Sequence, residues 1–329
     1  MSVATERDDW TYVLVTPDGV AAGAVGLVLD RVLAHGLKPE LCRPVGLEVK
    51  SMQTFYGGSP AFRIQDPGKR DFEFSWDTHE ALYALAPACL VTLTAPGGDA
   101  VHRMLRCKGR TRPELAEPDS VRWLGENVVF NLVHCPDDLG SARRELELLV
   151  GADEARLLMA APTPLGPELA SVAGEAVLAA SLPAAGDWES VSFPAIANRI
   201  RRRVVQRLAV LLAQDDAVLQ SLVRAQELLD AERGSLAAGT TSRMRLLTAI
   251  SVNSAISTEL AVAVAALDDE VLARGLDALS GLFELRAPRR PEAVLALADR
   301  GVYIGPLERV IVSCHAHAFR PNAEIDELY

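Results

Sequence analysis

The sequence contains few cysteines, and no two of them form a Cys-x-x-Cys pair. The five cysteines are widely spaced along the 329 residues, at Cys42, Cys89, Cys107, Cys135 and Cys314. An odd number at irregular spacing argues against a disulfide framework and against a zinc ribbon. Because reduced thiols are the rule in the cytoplasm, this pattern favours a cytoplasmic protein.

Positive charge and long apolar runs are also scarce. Asp and Glu number 44 against 33 Lys and Arg, and this net charge of −11 argues against a general nucleic-acid-binding protein. The first ten residues, MSVATERDDW, are polar and acidic, unlike a secretory signal peptide. The longest uncharged stretch among the C-terminal helices, Leu246–Thr258, is too short to span a bilayer. We therefore predict neither a nucleic-acid partner nor a membrane partner.

Aromatic residues make up only 5% of the chain, yet hydrophobic residues make up 49%, so the core must consist mainly of Ala, Leu and Val. In the N-terminal half, short β-branched runs predict strands, and apolar residues at intervals of three and four predict helices. The predicted strands are Thr11–Thr16, the irregular Leu37–Val49, Ala88–Ala95 and Val128–Val133. The predicted helices are Val20–Leu37, Trp76–Leu85, Ser141–Val150 and one that follows the turn Gly97-Gly98-Asp99 and ends at about Cys107. This order favours an α+β fold with a ferredoxin-like sheet covered by helices.

The composition changes after Gly151. The segment Met159–Trp188 is rich in Ala, Pro and Gly, and we interpret it as a connector. Long amphipathic patterns follow and predict helices that include Ser242–Leu267 and Asp269–Leu282, whereas Arg309–Phe319 is strand-like. We therefore predict two domains, residues 1–155 and residues 156–329, of which the second is mainly α-helical.

Several separated motifs of the N-terminal half stand in the order found in one enzyme family. The first stretch, TYVLVTPDGVAAGAVGLVLDRVLAHGL, contains a strand, a Pro-Asp-Gly-Val turn and a Gly-x-Val-Gly helix. The second, RTRPELAEPDSVRWLGENVVFNLVHCPDDLGSARRELELL, contains a Thr-loop-Arg segment, an Asn-x-x-His strand and a Ser-Ala-x-x-Glu helix. Over Thr11–Gly151 the chain resembles the nucleoside diphosphate kinases, which transfer a γ-phosphate between nucleotides through a phosphohistidine.

The resemblance implies a set of site residues at the positions that match the family's motifs. His134 matches the nucleophile, and Glu145 matches the glutamate that orients it. The residues implied to bind the nucleotide are Thr16, Tyr56, Thr111, Arg122 and Asn131. The implied cofactor is ATP or another nucleotide, with Mg²⁺ accompanying it. The residue types suit this chemistry, because a histidine nucleophile needs one unprotonated ring nitrogen and an arginine grips phosphate with two donors.

The chain departs from the family at several charged positions. Thr16 replaces the lysine of the family's Lys-Pro-Asp-Gly motif, and Leu105 replaces its second phosphate arginine, with Arg103 and Arg106 on either side. Pro136 stands where the family has a serine. Because losing one charge-stabilising donor costs about 10²–10³ in rate, ordinary nucleoside diphosphate kinase activity is in question.

Three functions therefore stay open. The first is a phosphotransferase, a kinase-like enzyme that takes up phosphate on His134. The second is a catalytically degenerate module that binds a nucleotide or docks a partner. The third is a repurposed enzyme, in which the enlarged segment Gly57–Tyr83 admits another phosphorylated substrate. A homo-oligomer is also left open.

Structural interpretations compete with these functional ones. His134 can be a satisfied core histidine at a strand end. The basic cluster Arg199–Arg207 is typical of a solvated helix face, and the alternative is a contact to phosphate or to an acidic partner. His315 and His317 would share one face of a strand and could bind a metal, but no neighbouring Asp, Glu or Cys completes a site, so packing is favoured and no metal site is predicted.

Overall fold

The computed structural model describes residues 9–46, 54–55, 82–83, 87–160, 188–283 and 291–318. These residues divide into two compact units, one ending at Trp188 and the other beginning at Glu189. The predicted boundary between residues 155 and 156 stays a prediction. Tyr56, most of the predicted helix Trp76–Leu85 and most of the predicted connector Met159–Trp188 lie outside the described residues.

The N-terminal unit is a four-stranded antiparallel sheet with helices. Its elements in chain order are β1 (Trp10–Val15), α1 (Pro17–Ala21), α2 (Val25–Ala34), β2 (Lys38–Val45), β3 (Ala88–Thr94), α3 (Ala100–Lys108), a 3₁₀ turn (Arg122–Leu124), β4 (Val133–His134), α4 (Leu139–Val150) and α5 (Ala152–Ala160). The strand order is β2-β3-β1-β4, which is the ferredoxin-like arrangement, so the predicted fold class is confirmed.

The central strands β1 and β3 are buried along their whole length, because the aliphatic residues of both strands lie within the hydrophobic core. They pair with each other from Trp10 opposite Thr94 to Val15 opposite Cys89. On its other side β1 pairs with β4, and Leu14 lies opposite His134. The sheet therefore places His134 beside the C-terminal end of a rigid, fully buried strand.

The predicted strand Val128–Val133 is wrong in all but its last residue, because β4 contains only Val133 and His134. Side-chain amides make hydrogen bonds to the backbone of this segment. Asn127 Oδ1 accepts from the amides of Val129 and Phe130 at 2.9 Å each, and Asn131 Nδ2 donates to the carbonyl of Val128 at 2.7 Å. Asparagine side chains thus offer the backbone an alternative to a ladder, and β-branched composition alone does not reveal it.

The C-terminal unit is helical, as predicted. A 3₁₀ turn (Trp188–Ser190) leads into it. Its elements are then α6 (Phe193–Leu211), α7 (Asp216–Ala238), α8 (Ser242–Leu267), α9 (Glu270–Gly281), α10 (Pro291–Leu295), a second 3₁₀ turn (Ala296–Arg300) and α11 (Pro306–Ala318). Side-chain caps define three of these helix starts. Asp215 accepts from Val218, Thr241 from Met244, and Asp269 from Val271 and Leu272.

The predicted strand Arg309–Phe319 is wrong, because residues 306–318 form α11. Pro306 opens the helix, where a missing amide proton costs nothing. Ile311, Cys314 and His315 are buried at helical spacing. Positions 315 and 317 of a helix do not share the face that a strand would give them, because two residues correspond to about 200° of rotation. The His315 ring stacks on Phe193 with centroids 3.7 Å apart, which is a packing role.

The basic cluster Arg199–Arg207 lies on α6, and part of it pairs within the unit. Arg199 Nε lies 3.2 Å from one carboxylate oxygen of Glu308, and Arg203 Nη1 lies 2.6 Å from the other. The interpretation as a solvated face is wrong for Arg201, whose side chain is only 1% exposed. The acidic partners of these arginines belong to the same unit.

Arg201 is the centre of a buried polar network. It donates to Asn253, lies with its guanidinium 4.8 Å from the centre of the Phe283 ring, and places Nη1 3.9 Å from Glu232. Burial lowers the pKa of Arg201 to about 10 and raises the pKa of Glu232. The network joins α6 to α7 and α8 through buried polar contacts.

Helix α8 is long and apolar enough to cross a membrane, judged by length and composition alone. Its most apolar 18-residue window has a mean hydropathy of 1.6, and 28% of that window is buried. Core helices of soluble proteins meet the same criterion, and the predicted absence of a membrane partner stays a prediction.

Candidate active site

His134 and Glu145 come together at the point where β4 leads into α4. Asp138 starts this helix, since its carboxylate accepts from the Ser141 amide at 2.7 Å. Glu145 then lies on the buried face of α4, and its Oε2 lies 2.9 Å from His134 Nε2. The imidazole is 17% exposed and the carboxylate only 8%, so the pair is mostly shielded while the ring still reaches solvent.

Two aromatic residues lie beside this pair. The Phe55 ring lies 5.0 Å from the imidazole, centroid to centroid, at an interplanar angle of 56°. Tyr12 lies on the buried strand β1, and its hydroxyl donates to Glu145 Oε2 at a distance of 2.6 Å. Sequence reasoning missed both, and Tyr12 had one visible signal, a phenol within a strand of mostly apolar residues.

Arg122 joins the predicted phosphate-binding residue Thr111 to the strand of His134. Its Nη1 donates to Thr111 Oγ1 at 3.0 Å, and its Nη2 donates to the carbonyl of Val133 at 3.2 Å. The guanidinium is largely buried. The cation is therefore held one residue before His134, at the same end of the sheet.

The backbone before His134 also gathers the other predicted residues. Asn131 Nδ2 lies 3.4 Å from the carbonyl of Thr111, and the Thr16 amide donates to the carbonyl of Leu132 at 2.9 Å. Thr16, Thr111, Arg122 and Asn131 are thus linked to one another or to the segment that carries His134. Tyr56 lies outside the described residues.

Asp18 holds the backbone of the segment before His134 through a hydrogen bond to Leu132. Its Oδ2 accepts from the amide of Leu132 at 3.1 Å, and Leu132 has a φ of 74°, a left-handed conformation that is costly for a branched side chain. Gly19 allows the close approach, because a Cβ there would lie 2.7 Å from the Leu132 carbonyl oxygen. Burial raises the pKa of the Asp18 carboxyl from 3.8 to about 6.

We predict that Asp18 makes the stability of the protein fall as the pH rises. The folded carboxyl keeps its proton where the unfolded one has lost it, so its contribution is complete below pH 3.8 and is lost as the pH rises to about 6. Asp18→Asn keeps an acceptor for Leu132 and removes the charge. From pH 4 to pH 7, its free energy of unfolding should therefore rise relative to wild type by on the order of 3 kcal/mol. Denaturant titrations of both proteins measure this difference, and a constant difference across that range would contradict the prediction.

The residues near the family's missing arginine do not all face the site. Leu105 on α3 packs against the core, Arg103 lies 3.4 Å from the carbonyl of Gly36, and Arg106 is exposed. Lys108 is different, because its buried side chain places Nζ 3.3 Å from Asp137, three residues beyond His134. Lys108 is a second cation in this part of the fold that sequence reasoning missed.

Metal-binding and thiol chemistry have little basis here. Within the described ranges, no group of three or more His, Cys, Asp or Glu side chains could hold a metal ion. Cys135 is fully buried beside His134, and burial raises the pKa of its thiol, which disfavours the reactive thiolate. The chemistry of the site therefore centres on the imidazole and the cations.

Comparison with known proteins finds relatives of the N-terminal part of the chain. The family model of nucleoside diphosphate kinase matches residues 9–155. The nucleoside diphosphate kinases of Listeria monocytogenes and Staphylococcus aureus are 27% and 28% identical over 145 residues, which is 44% of this chain and 90% and 89% of theirs. A halophilic nucleoside diphosphate kinase from Halobacterium salinarum, solved in complex with CDP, aligns with a TM-score of 0.38 and 24% identity over 45% of this chain and 91% of its own. The predicted resemblance is confirmed for the N-terminal part of the chain.

Proposed function

We propose that the nucleoside diphosphate kinase-like domain binds a nucleoside triphosphate and takes up its γ-phosphate on His134. The bond between His134 Nε2 and Glu145 Oε2 carries this proposal. If Nε2 bears the ring proton and donates a hydrogen bond to the carboxylate, Nδ1 is unprotonated and keeps its lone pair. Nδ1 then attacks phosphorus while the bond to the leaving diphosphate breaks, and Glu145 stabilises the positive charge that develops on the ring.

Arg122 is the cation proposed to bind phosphate, because it lies at the same end of the sheet as His134. Phosphoryl transfer depends mostly on positioning and on neutralising negative charge. The proposed phosphate ligands are Arg122, which is already fixed by Thr111 and Val133, and the Thr111 hydroxyl. Asn131 and Thr16 are the further proposed contacts to the nucleotide.

Mg²⁺ fits this proposal as a companion of the nucleotide. Mg²⁺ keeps several waters and binds through few carboxylates together with substrate phosphates. The described residues near His134 offer no cluster of carboxylates, so the nucleotide phosphates would hold the ion, and its contribution is charge neutralisation.

Labelling and calorimetry together test the function. Incubation of the full chain with γ-labelled ATP should leave acid-labile, base-stable label on the protein, and a nucleoside diphosphate should remove it. Nucleotide binding in calorimetry without label or exchange would favour the degenerate binding module. Absence of nucleotide binding would overturn both and leave the repurposed enzyme.

We predict that Thr16→Lys raises phosphotransfer. Thr16 directly follows β1, and its amide donates to the carbonyl of Leu132, so a lysine here would bring a charge next to the segment that carries His134. A ten-fold gain in the exchange rate would correspond to about 1.4 kcal/mol of transition-state stabilisation. Exchange between ATP and a nucleoside diphosphate measures it directly.

The control for this gain is the double variant Thr16→Lys with His134→Ala. If His134 is the phosphate carrier, the double variant should show background exchange only. A gain that persists without the imidazole would mean that His134 does not carry the phosphate.

A further inference from the structure

The phenol of Tyr12 and the imidazole of His134 meet the same carboxylate oxygen. The Tyr12 hydroxyl lies 2.6 Å from Glu145 Oε2, and His134 Nε2 lies 2.9 Å from that atom. The second oxygen of Glu145 is 3.4 Å from Arg144, whose side chain is 46% exposed. Tyr12 is therefore the short, buried donor to the group that orients the histidine.

Tyr12 is also held rigidly. It lies on the central strand β1, opposite Thr92 of β3, and its side chain is fully buried. A buried carboxylate needs donors, because an unsatisfied charge in the core is costly. The strand that ends beside His134 thus supplies such a donor from a fixed direction.

We propose that Tyr12 is a positioning residue that controls the protonation of His134 through Glu145. This inference rests on the proposed function for its significance, but its geometry is independent of any nucleotide. By donating a hydrogen bond to Glu145 Oε2, the phenol fixes the position of that oxygen and partly offsets the negative charge of the carboxylate. The carboxylate then orients the imidazole through Nε2 and leaves Nδ1 as the atom that attacks phosphorus.

Removing the phenol hydroxyl has a definite consequence. In Tyr12→Phe, Glu145 loses a donor and its charge acts more strongly on the imidazole. His134 should then keep its second proton to higher pH, and the midpoint of its titration should rise by about one pH unit. The acid limb of the phosphotransfer profile should rise equally, while the rate on the alkaline plateau changes less than three-fold. A merely structural role would lower the rate at every pH instead.

The test is a titration of the His134 ring nitrogens by ¹⁵N NMR in the full chain, without nucleotide. It compares wild type, Tyr12→Phe, Glu145→Gln and the double variant, with Tyr303→Phe as the matched control. Tyr303 is an exposed tyrosine of the helical unit, so its loss of a hydroxyl should leave the midpoint unchanged. Thermal unfolding checks that Tyr12→Phe, which removes one atom, is folded.

The result expected is an upward shift in Tyr12→Phe that disappears when Glu145 is already glutamine. An unshifted midpoint in Tyr12→Phe overturns the proposal, and so does a shift that persists in the Glu145→Gln background. Because the titration needs no nucleotide, the failure of phosphate labelling would overturn the proposed function and leave this result standing.

Discussion

Replacing His134 with alanine should abolish the phosphotransfer and the protein-bound label. The imidazole is the proposed nucleophile, because its Nε2 lies 2.9 Å from the buried Glu145 carboxylate while the ring is 17% exposed. Loss of a nucleophile typically lowers turnover by on the order of 10⁴–10⁶-fold. Nucleotide affinity should change far less, because the proposed phosphate ligands remain. Exchange kinetics and calorimetry on the same preparations separate the two quantities.

The matched control for this variant is His102→Ala. His102 is an exposed histidine on α3 of the same unit, so its removal should leave both label and exchange at wild-type levels. Equal label on wild type and His134→Ala would place the phosphate elsewhere and would end the proposal that His134 is the carrier.

Replacing Arg122 with alanine should weaken nucleotide binding by roughly 1.5–3 kcal/mol, or about 10- to 150-fold in the dissociation constant. The guanidinium is nearly buried and fixed between Thr111 and Val133, so it pays little ordering cost when it receives phosphate. Arg122→Lys should recover only part of the loss, because an ammonium keeps the charge but not the two-pronged geometry. Calorimetric titration with ATP measures all three proteins.

Arg110→Ala is the control, because Arg110 is a half-exposed arginine that lies 3.8 Å from Glu117 on the surface. Such pairs contribute little, so this variant should bind like wild type. An affinity unchanged in Arg122→Ala would remove Arg122 from the site, and thermal unfolding shows whether a weaker affinity reflects damage to the fold.

The sequence predicts the strands around Val13 and Val91 and the helix Ser242–Leu267 within about one residue of their bounds. The two strands are short apolar and β-branched runs that are buried on both faces, and the helix is long and begins after the capping residue Thr241. The sequence does not predict the bounds of β4, because hydrogen bonds from the Asn127 and Asn131 side chains to the backbone take the place of strand pairing before Val133. The β-branched residues of α11 favour a strand, although Ile311 and Cys314 are three positions apart, as buried residues of a helix are.

The site shows the same division. The family resemblance implies His134, Glu145, Arg122 and Thr111, and the structure links them through hydrogen bonds shorter than 3.3 Å. Tyr12 did not follow, because its partner lies 133 residues away along the chain. Contacts of that kind arise only when β1, β4 and α4 are packed, and no local pattern encodes them.

The buried Arg201 makes the effects of substitutions on three helices depend on one another. Arg201 on α6 faces Glu232 on α7 and Asn253 on α8, all nearly inaccessible to water. Removing one member alone would strand a charge in the core, whereas replacing the whole set with apolar residues of similar size can be neutral or better. Arg201 and Glu232 are therefore expected to tolerate joint replacement better than replacement of either one alone.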